Sequence, residues 1–429
     1  MKMPHFPMPS WRQDIKYDLD NIKKLSEILD KPHLRLPPII HIAGTNGKGS
    51  SVATFKSIFE AAGYQVHTYT SPHLLEFNER IVVRGEKISD NYLFQLSERV
   101  RIAAEGKVQP TFFEGTTAVA FLAFAEVPAD ILILETGLGG RFDATNIVLQ
   151  PLITLITPIS YDHKDYLGDS LTDIATEKAG IIKPNVPCVI SCQTDEVYQV
   201  LLAKCQELTA PAFCYEYDFG LKKTDKGFNY LSNNANYEFP RPSLVGDHQL
   251  VNAASVIATI GLINKQFNIT NKNIEDGLQN IKWPARIEKI PSTKYARMAG
   301  KHVQIWVDGA HNSGGAQVLS SWIADNLSSP IYLILGMTKN RDVEEFCSYF
   351  KLLIKRGYGV RVLSEVISYN SEAVSLMASK TGIDFFPADS LEEAIREISN
   401  LEQNLERRET NIIITGSLYL AADFFKLIA

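Results

Sequence analysis

The stretch from His41 to Ser51, HIAGTNGKGSS, places the positive charge of Lys48 among glycines 44, 47 and 49. Glycines let successive backbone N–H groups turn toward one point, and a lysine adds charge that neutralises an anion. Gly44, Thr45, Asn46, Gly47, Lys48, Gly49 and Ser50 therefore read together as a phosphate cradle. The continuation SSVATFKSIFEAAG has apolar residues at 52, 55, 58 and 59 before Gly63, so the cradle opens a helix whose dipole also favours an anion. In the common phosphate loop a hydroxyl follows the lysine at once and holds Mg²⁺, but here Gly49 follows. Ser71, in YTSPHL, can supply that hydroxyl, although a serine before Pro72 also reads as a turn or helix cap. Glu135 ends the apolar run DILILE, where a carboxylate needs a cation or hydrogen-bond donors: a metal ion, or Arg141 in GLGGR.

Such groups need elements to hold them. Short apolar runs recur between helical stretches: PIIHIAG, QVHTYTS, ADILILETG, PLITLITPI, PCVISCQ, then HVQIWVDGA, IYLILGM, VRVLSEV and NIIITGS. Runs this short and this continuous predict buried parallel strands covered by helices on both faces, hence an α/β protein. Polar residues follow the runs directly, as expected where open α/β sheets bind ligands at the carboxyl ends of their strands. Between residues 221 and 242 the alternation gives way to hairpin-like polar structure. The segment KWPARIEKIPSTKYARMAGKH, with two prolines and many charges, is the expected boundary, which gives domains 1–292 and 293–429.

At 429 residues, 45% hydrophobic and 21% charged, the chain has the composition of a globular protein with two cores, not of a disordered one. A net charge of −6 gives no footing for nucleic acid, and no run is long enough for a membrane helix. The N-terminal MKMPHFPMPSW lacks the continuous apolar core of a signal peptide. Cysteines 188, 192, 205, 214 and 347 form no C-x-x-C pair and no metal spacing, which suits a reducing compartment, the cytoplasm by default.

Taken in order, AGTNGKGS, TSPHL, TFFEGTTAVAFLAF, ETGLGGRFDATN, DH, EKAGIIK, HQLVNA, WPARIE, DGAHN and TGSLYL run over nearly the whole chain. This series resembles folylpolyglutamate synthase and its bifunctional dihydrofolate synthase form, within the Mur ligase superfamily. The glycine after the loop lysine is usual in that family. The resemblance implies a central P-loop domain with a mainly parallel sheet and a pterin site. It also implies a smaller Rossmann-like C-terminal domain that contributes to ATP and glutamate binding. The implied activity is an ATP-dependent ligation of L-glutamate to dihydropteroate and to folates through an acyl phosphate. The substrates are small molecules, and the chain is expected to work as a monomer.

The same resemblance assigns roles. Ser71 and Glu135 hold the Mg²⁺ that bridges the ATP phosphates, His163 ligates a second ion, and Lys178 joins it as a CO₂-derived carbamate. A monovalent cation is a further expectation. Lys48, Glu135, His163 and Lys178 form the catalytic set. Asn252, Arg286 and Asp308 complete the ATP contacts of the loop. Thr111, Phe113, Asp143 and Ala144 match the positions that contact dihydropteroate, and His311, Asn312 and Ser417 those that meet glutamate. Two departures stand out: DIKYDLDNIKKL replaces the family's D-L-G-L-x-R-like sequence, and Ser313 replaces the Pro that usually follows DGAHN. The alternatives are a folylpolyglutamate synthase without dihydropteroate activity, a cell-wall Mur ligase, and a nucleotide switch driven by loop ordering. The Lys48-Gly49 pair and TFFEGTTA argue against the cell-wall enzyme, and the second-domain cluster against the switch.

Overall fold

A computed structural model describes residues 18–233, 235–328, 330–402 and 409–429. The segment MKMPHFPMPSW and the first residues of DIKYDLDNIKKL lie outside them; Asp20–Ile28 is a helix.

The chain divides into two units, residues 1–243 with 249–282, and residues 244–248 with 283–429. In the first, eight strands form one sheet: β1 (Ile39–Ala43), β2 (Val66–Tyr69), β3 (Ile81–Val83), β4 (Glu86–Lys87), β5 (Ile131–Glu135), β6 (Ile153–Ile156), β7 (Cys188–Ile190) and β8 (Ala212–Cys214). Their order is β4-β3-β2-β5-β1-β6-β7-β8, parallel except for β3 and β4. Every residue of β1 and β5 is buried, because helices cover both faces and no polar alternation is needed. The helix Phe112–Glu126 is buried along most of its length for the same reason. The polar region after residue 218 forms a separate antiparallel sheet, β9 (Phe219–Lys223), β10 (Gly227–Ser232) and β11 (Ala235–Pro240), a meander one strand larger than a hairpin.

The second unit holds β12 (Glu288–Ile290), β13 (Val303–Val307), β14 (Ile331–Leu335), β15 (Arg356–Gly359), β16 (Phe385–Pro387) and β17 (Thr410–Thr415), in the order β12-β13-β17-β14-β15-β16. All neighbours are parallel except β12 with β13.

Two local expectations shift. The strand sought in VRVLSEV lies earlier, in RGYG: Gly357 sits under the Phe385 ring, where a Cβ would come within 2.3 Å of Cζ. The packing demands small residues there, so the apolar signal falls on the buried Val360 and Val362 beyond the strand. The segment expected to hold the boundary is folded: Ser292–Tyr295 is a short helix, and buried Tyr295 donates its hydroxyl to Val303 O at 2.8 Å. β12 thus lies in the second sheet, ahead of the cut expected at residue 292.

Candidate functional site

The sheet order places β1, β5 and β2 side by side, with their carboxyl ends together. From β1 the chain enters the glycine loop and then the helix Lys48–Ala61, whose leading N–H groups have no partner within the helix. The loop is tied to the segment after β6: Thr45 N and Asn46 N both donate to Pro158 O, and Asn46 Nδ2 donates to Ser160 Oγ. Lys48 Nζ donates to Gly44 O at 2.9 Å and Thr45 O at 3.2 Å, which holds the ammonium over the loop that a phosphate would fill.

Gly47 has φ +87°, and a Cβ there would meet Asn252 Oδ1 at 2.5 Å. Asn252, on the helix Asp247–Ile263, therefore lies against the loop, with Nδ2 donating to Gln249 Oε1 at 3.0 Å. Gly47→Ala is expected to combine left-handed strain of about 1–2 kcal/mol with this clash. ADP binding, followed by calorimetry, should fall at least about tenfold. Unchanged affinity in the variant would remove the close approach from the account.

At the end of β5, Glu135 is 4% exposed, and its Oε2 accepts from Ser71 N at 3.3 Å. The Ser71 backbone and a buried carboxylate thus meet one strand away from the glycine loop. Arg141, the alternative partner in sequence, lies 3.9 Å from Glu177 and stacks on Phe142.

Lys178 comes to the same place from the helix Leu171–Ala179. Its Nζ donates to Gly44 O at 2.9 Å, the carbonyl that Lys48 also uses. Burial pushes its pKa well below the ordinary lysine value and the Lys48 cation pushes the same way, while Asp143 opposes them. His163 sits with φ +51° before the short helix Lys164–Leu167, its Nε2 3.7 Å from Asp162 Oδ1. Among the described residues no three of His, Cys, Asp and Glu form a ready cage for a metal.

The pterin candidates divide. Phe113 packs its ring 5.9 Å from that of Tyr69 and over Gly137, in the turn after Glu135. Thr111 caps the helix Phe112–Glu126 by accepting from Glu114 N, and Ala144 is buried. Asp143 is committed to its own loop: Oδ2 accepts from Gly137 N at 2.8 Å and Leu138 N at 2.9 Å, and Oδ1 from Thr145 N and Thr145 Oγ1. A carboxylate offers about four acceptor positions, so this one shapes the wall beside Phe113 and has none to spare for a pterin edge.

In the second unit, β13 and β17 end side by side. Asp308, after β13, accepts from Ile287 N and Ala310 N. Burial raises its pKa and the Arg286 guanidinium opposes that rise. Arg286 Nη1 donates to Ala285 O at 2.8 Å. His311 Nδ1 donates to Gly309 O at 3.0 Å, an assignment forced by the acceptor. Asn312 caps the helix Ser313–Asn326 and Ser417 the helix Leu418–Leu427, and Gly416 N donates to Ala310 O, which binds the two strand ends together. Two helix N-termini and a histidine so placed suit a carboxylate.

Arg341, in the loop after β14, was not singled out in the sequence. It joins this end of the sheet, its guanidinium pushed down to about 10 by burial and partly restored by Tyr419. The only signal was its place after the run IYLILGM.

Residues 42–260 match the Mur ligase middle domain, and residues 291–427 match the dihydrofolate synthetase C-terminal domain. The chain is 33% identical over 426 residues to a dihydrofolate synthase/folylpolyglutamate synthase of Bacillus subtilis (strain 168), covering 96% of this chain and 95% of that one. Among solved structures, a Mycobacterium tuberculosis folylpolyglutamate synthase complexed with ADP and AMPPCP superposes with TM-score 0.85 at 28% identity, over 96% of this chain and 95% of that one. A bifunctional folylpolyglutamate synthase/dihydrofolate synthase from Yersinia pestis, complexed with AMPPNP and Mn ion, gives TM-score 0.83 at 26% identity over 97% and 94%.

Proposed function

The chain belongs to the dihydrofolate synthase/folylpolyglutamate synthase branch of the Mur ligase family, and on that premise we propose how its residues join L-glutamate to dihydropteroate and to folates. It is an ATP-dependent carboxylate–amine ligase. A carboxylate is anionic and would have to expel oxide, so an amine does not displace it. Transfer of the γ-phosphoryl group gives an acyl phosphate whose phosphate leaves readily.

The observation that carries this reading is the meeting of Lys48, Lys178, Ser71 and Glu135 at the ends of β1, β5 and β2. Lys48 and the loop N–H groups hold the triphosphate, Lys48 exchanging its two carbonyl partners for phosphate oxygens. Asn252 adds to the nucleotide contacts of the loop, and Arg286 and Asp308 keep the ATP roles that the family series implies for them. Ser71 and Glu135 are hard oxygen donors of the kind Mg²⁺ takes, one or two from protein and the rest from water and phosphate. The ion, when bound, neutralises charge on the transferred group. His163 and a carbamate on Lys178 would hold a second ion, and a monovalent cation is a further expectation of the family series. Burial beside Lys48 favours the neutral amine of Lys178, the form that attacks CO₂. Phe113 gives the pterin an apolar face, and Thr111, Asp143 and Ala144 shape the walls around it. His311, Asn312, Ser417 and Arg341 receive glutamate carboxylates.

ATP, glutamate and either dihydropteroate or tetrahydrofolate, assayed side by side, test the reading. Steady ADP release should require glutamate and an acceptor together. Product with tetrahydrofolate alone would leave a folylpolyglutamate synthase, and ADP release without either co-substrate would leave a nucleotide switch. Removing CO₂ and bicarbonate should lower turnover and adding bicarbonate should restore it, with Lys178→Ala indifferent to both. Equal turnover in either buffer would remove the carbamate. No helix among the described residues is long and apolar enough to cross a membrane. A cytoplasmic monomer completes the proposal.

A further inference from the structure

His41 stands in β1 among isoleucines, fully buried. Its Nε2 lies 2.9 Å from Thr145 Oγ1. Thr145 Oγ1 has one proton, and it goes to Asp143 Oδ1, since a carboxylate already receiving three N–H bonds can only accept. Nε2 of His41 must therefore be the donor to Thr145. That fixes the tautomer and leaves Nδ1 buried without a hydrogen-bond partner. Burial, and then the Lys183 cation, push the ring's pKa down to about 3, so it stays neutral.

An apolar side chain would fill this place without stranding an acceptor. What the histidine gains is a fixed direction for a chain of bonds. From Asp143 the chain passes to Gly137 N and Leu138 N, the turn two residues beyond Glu135, and that turn lies under Phe113. Its other end is in register with the same place, since Ile42, next to His41, pairs with Glu135 across the sheet.

We propose that His41, acting through Thr145 and Asp143, is a positioning residue for the Glu135 carboxylate that receives the metal of the ATP complex. The inference rests on the metal role given to Glu135 above. His41 touches neither substrate nor metal. It sets the turn that sets the carboxylate.

The test is Mn²⁺ binding, measured directly from the resonance of free Mn²⁺ in the presence of a non-hydrolysable ATP analogue, at a temperature well below every variant's melting point. His41→Leu and Thr145→Val should each weaken Mn²⁺ binding by at least about tenfold, as supports behind a metal ligand do. His41→Gln, whose amide nitrogen can reach the place of Nε2, and Thr145→Ser, which keeps the hydroxyl, should stay within about threefold of the original chain. Melting points recorded in parallel separate lost packing from lost positioning. If all four variants bind Mn²⁺ as the original chain does, whatever their melting points, His41 is a core residue and the inference falls alone. If the original chain itself binds no Mn²⁺ with the nucleotide, the metal role of Glu135 falls and takes the inference with it.

Discussion

Glu135→Gln is expected to lower kcat/KM for ATP-dependent glutamylation by about a thousandfold, the scale of losing one well-placed charge at a phosphoryl-transfer site. The substitution keeps the side chain's volume at a place only 4% exposed, and one amide oxygen can still accept from Ser71 N. What it removes is the negative charge, so the melting point should stay within about 3 °C of the original while Mn²⁺ binding with nucleotide is lost. Calorimetry and steady-state rates on the same preparation separate the two effects. A variant that retains more than a tenth of the activity would show that the carboxylate is a strand-end acid held by local hydrogen bonds such as that from Ser71 N.

Lys48→Ala should cost on the order of 10³ in kcat/KM, divided between a higher KM for ATP and a lower kcat, because the ammonium meets phosphate in both the ground and the transition state. The loop should survive the change, since Gly44 O keeps its bond from Lys178 and the loop keeps its ties to Pro158 and Ser160. A second effect separates this variant from a merely weakened nucleotide site. The Lys48 cation helps to hold Lys178 below its ordinary pKa. Without it the ammonium form of Lys178 is favoured, less neutral amine is present at a given pH, and more bicarbonate is needed for half-maximal residual activity. Residual activity indifferent to bicarbonate in Lys48→Ala, but dependent on it in the original chain, would contradict this coupling.

The strand ends proposed for the nucleotide were legible because their signals are local. A glycine loop between an apolar run and an amphipathic helix, a carboxylate closing DILILE, and a serine closing QVHTYTS each need only a few neighbouring residues to be recognised, and each lies where expected. Even the order of motifs required nothing beyond the chain. Asp143 marks the limit of such reading. Its type suggests an acceptor for a pterin edge, but the number of acceptors it has left depends on which N–H groups its loop brings round, and four bonds fill it. The strand RGYG was hidden for a related reason: Phe385 takes the space that larger side chains would need, so the strand carries no apolar run.

By itself, then, the sequence determined the strand-loop-helix units, the chemistry available at each strand end, and the family. Only the tertiary structure decided which ends meet. Strand order is chosen by the burial of every face at once, a sum over the whole unit that no window of residues contains. That order, β2-β5-β1, carries Ser71 to Glu135 and sets both beside the glycine loop. The same packing brings Lys178 to Gly44, 134 residues away, and gives His41 a polar partner 104 residues downstream.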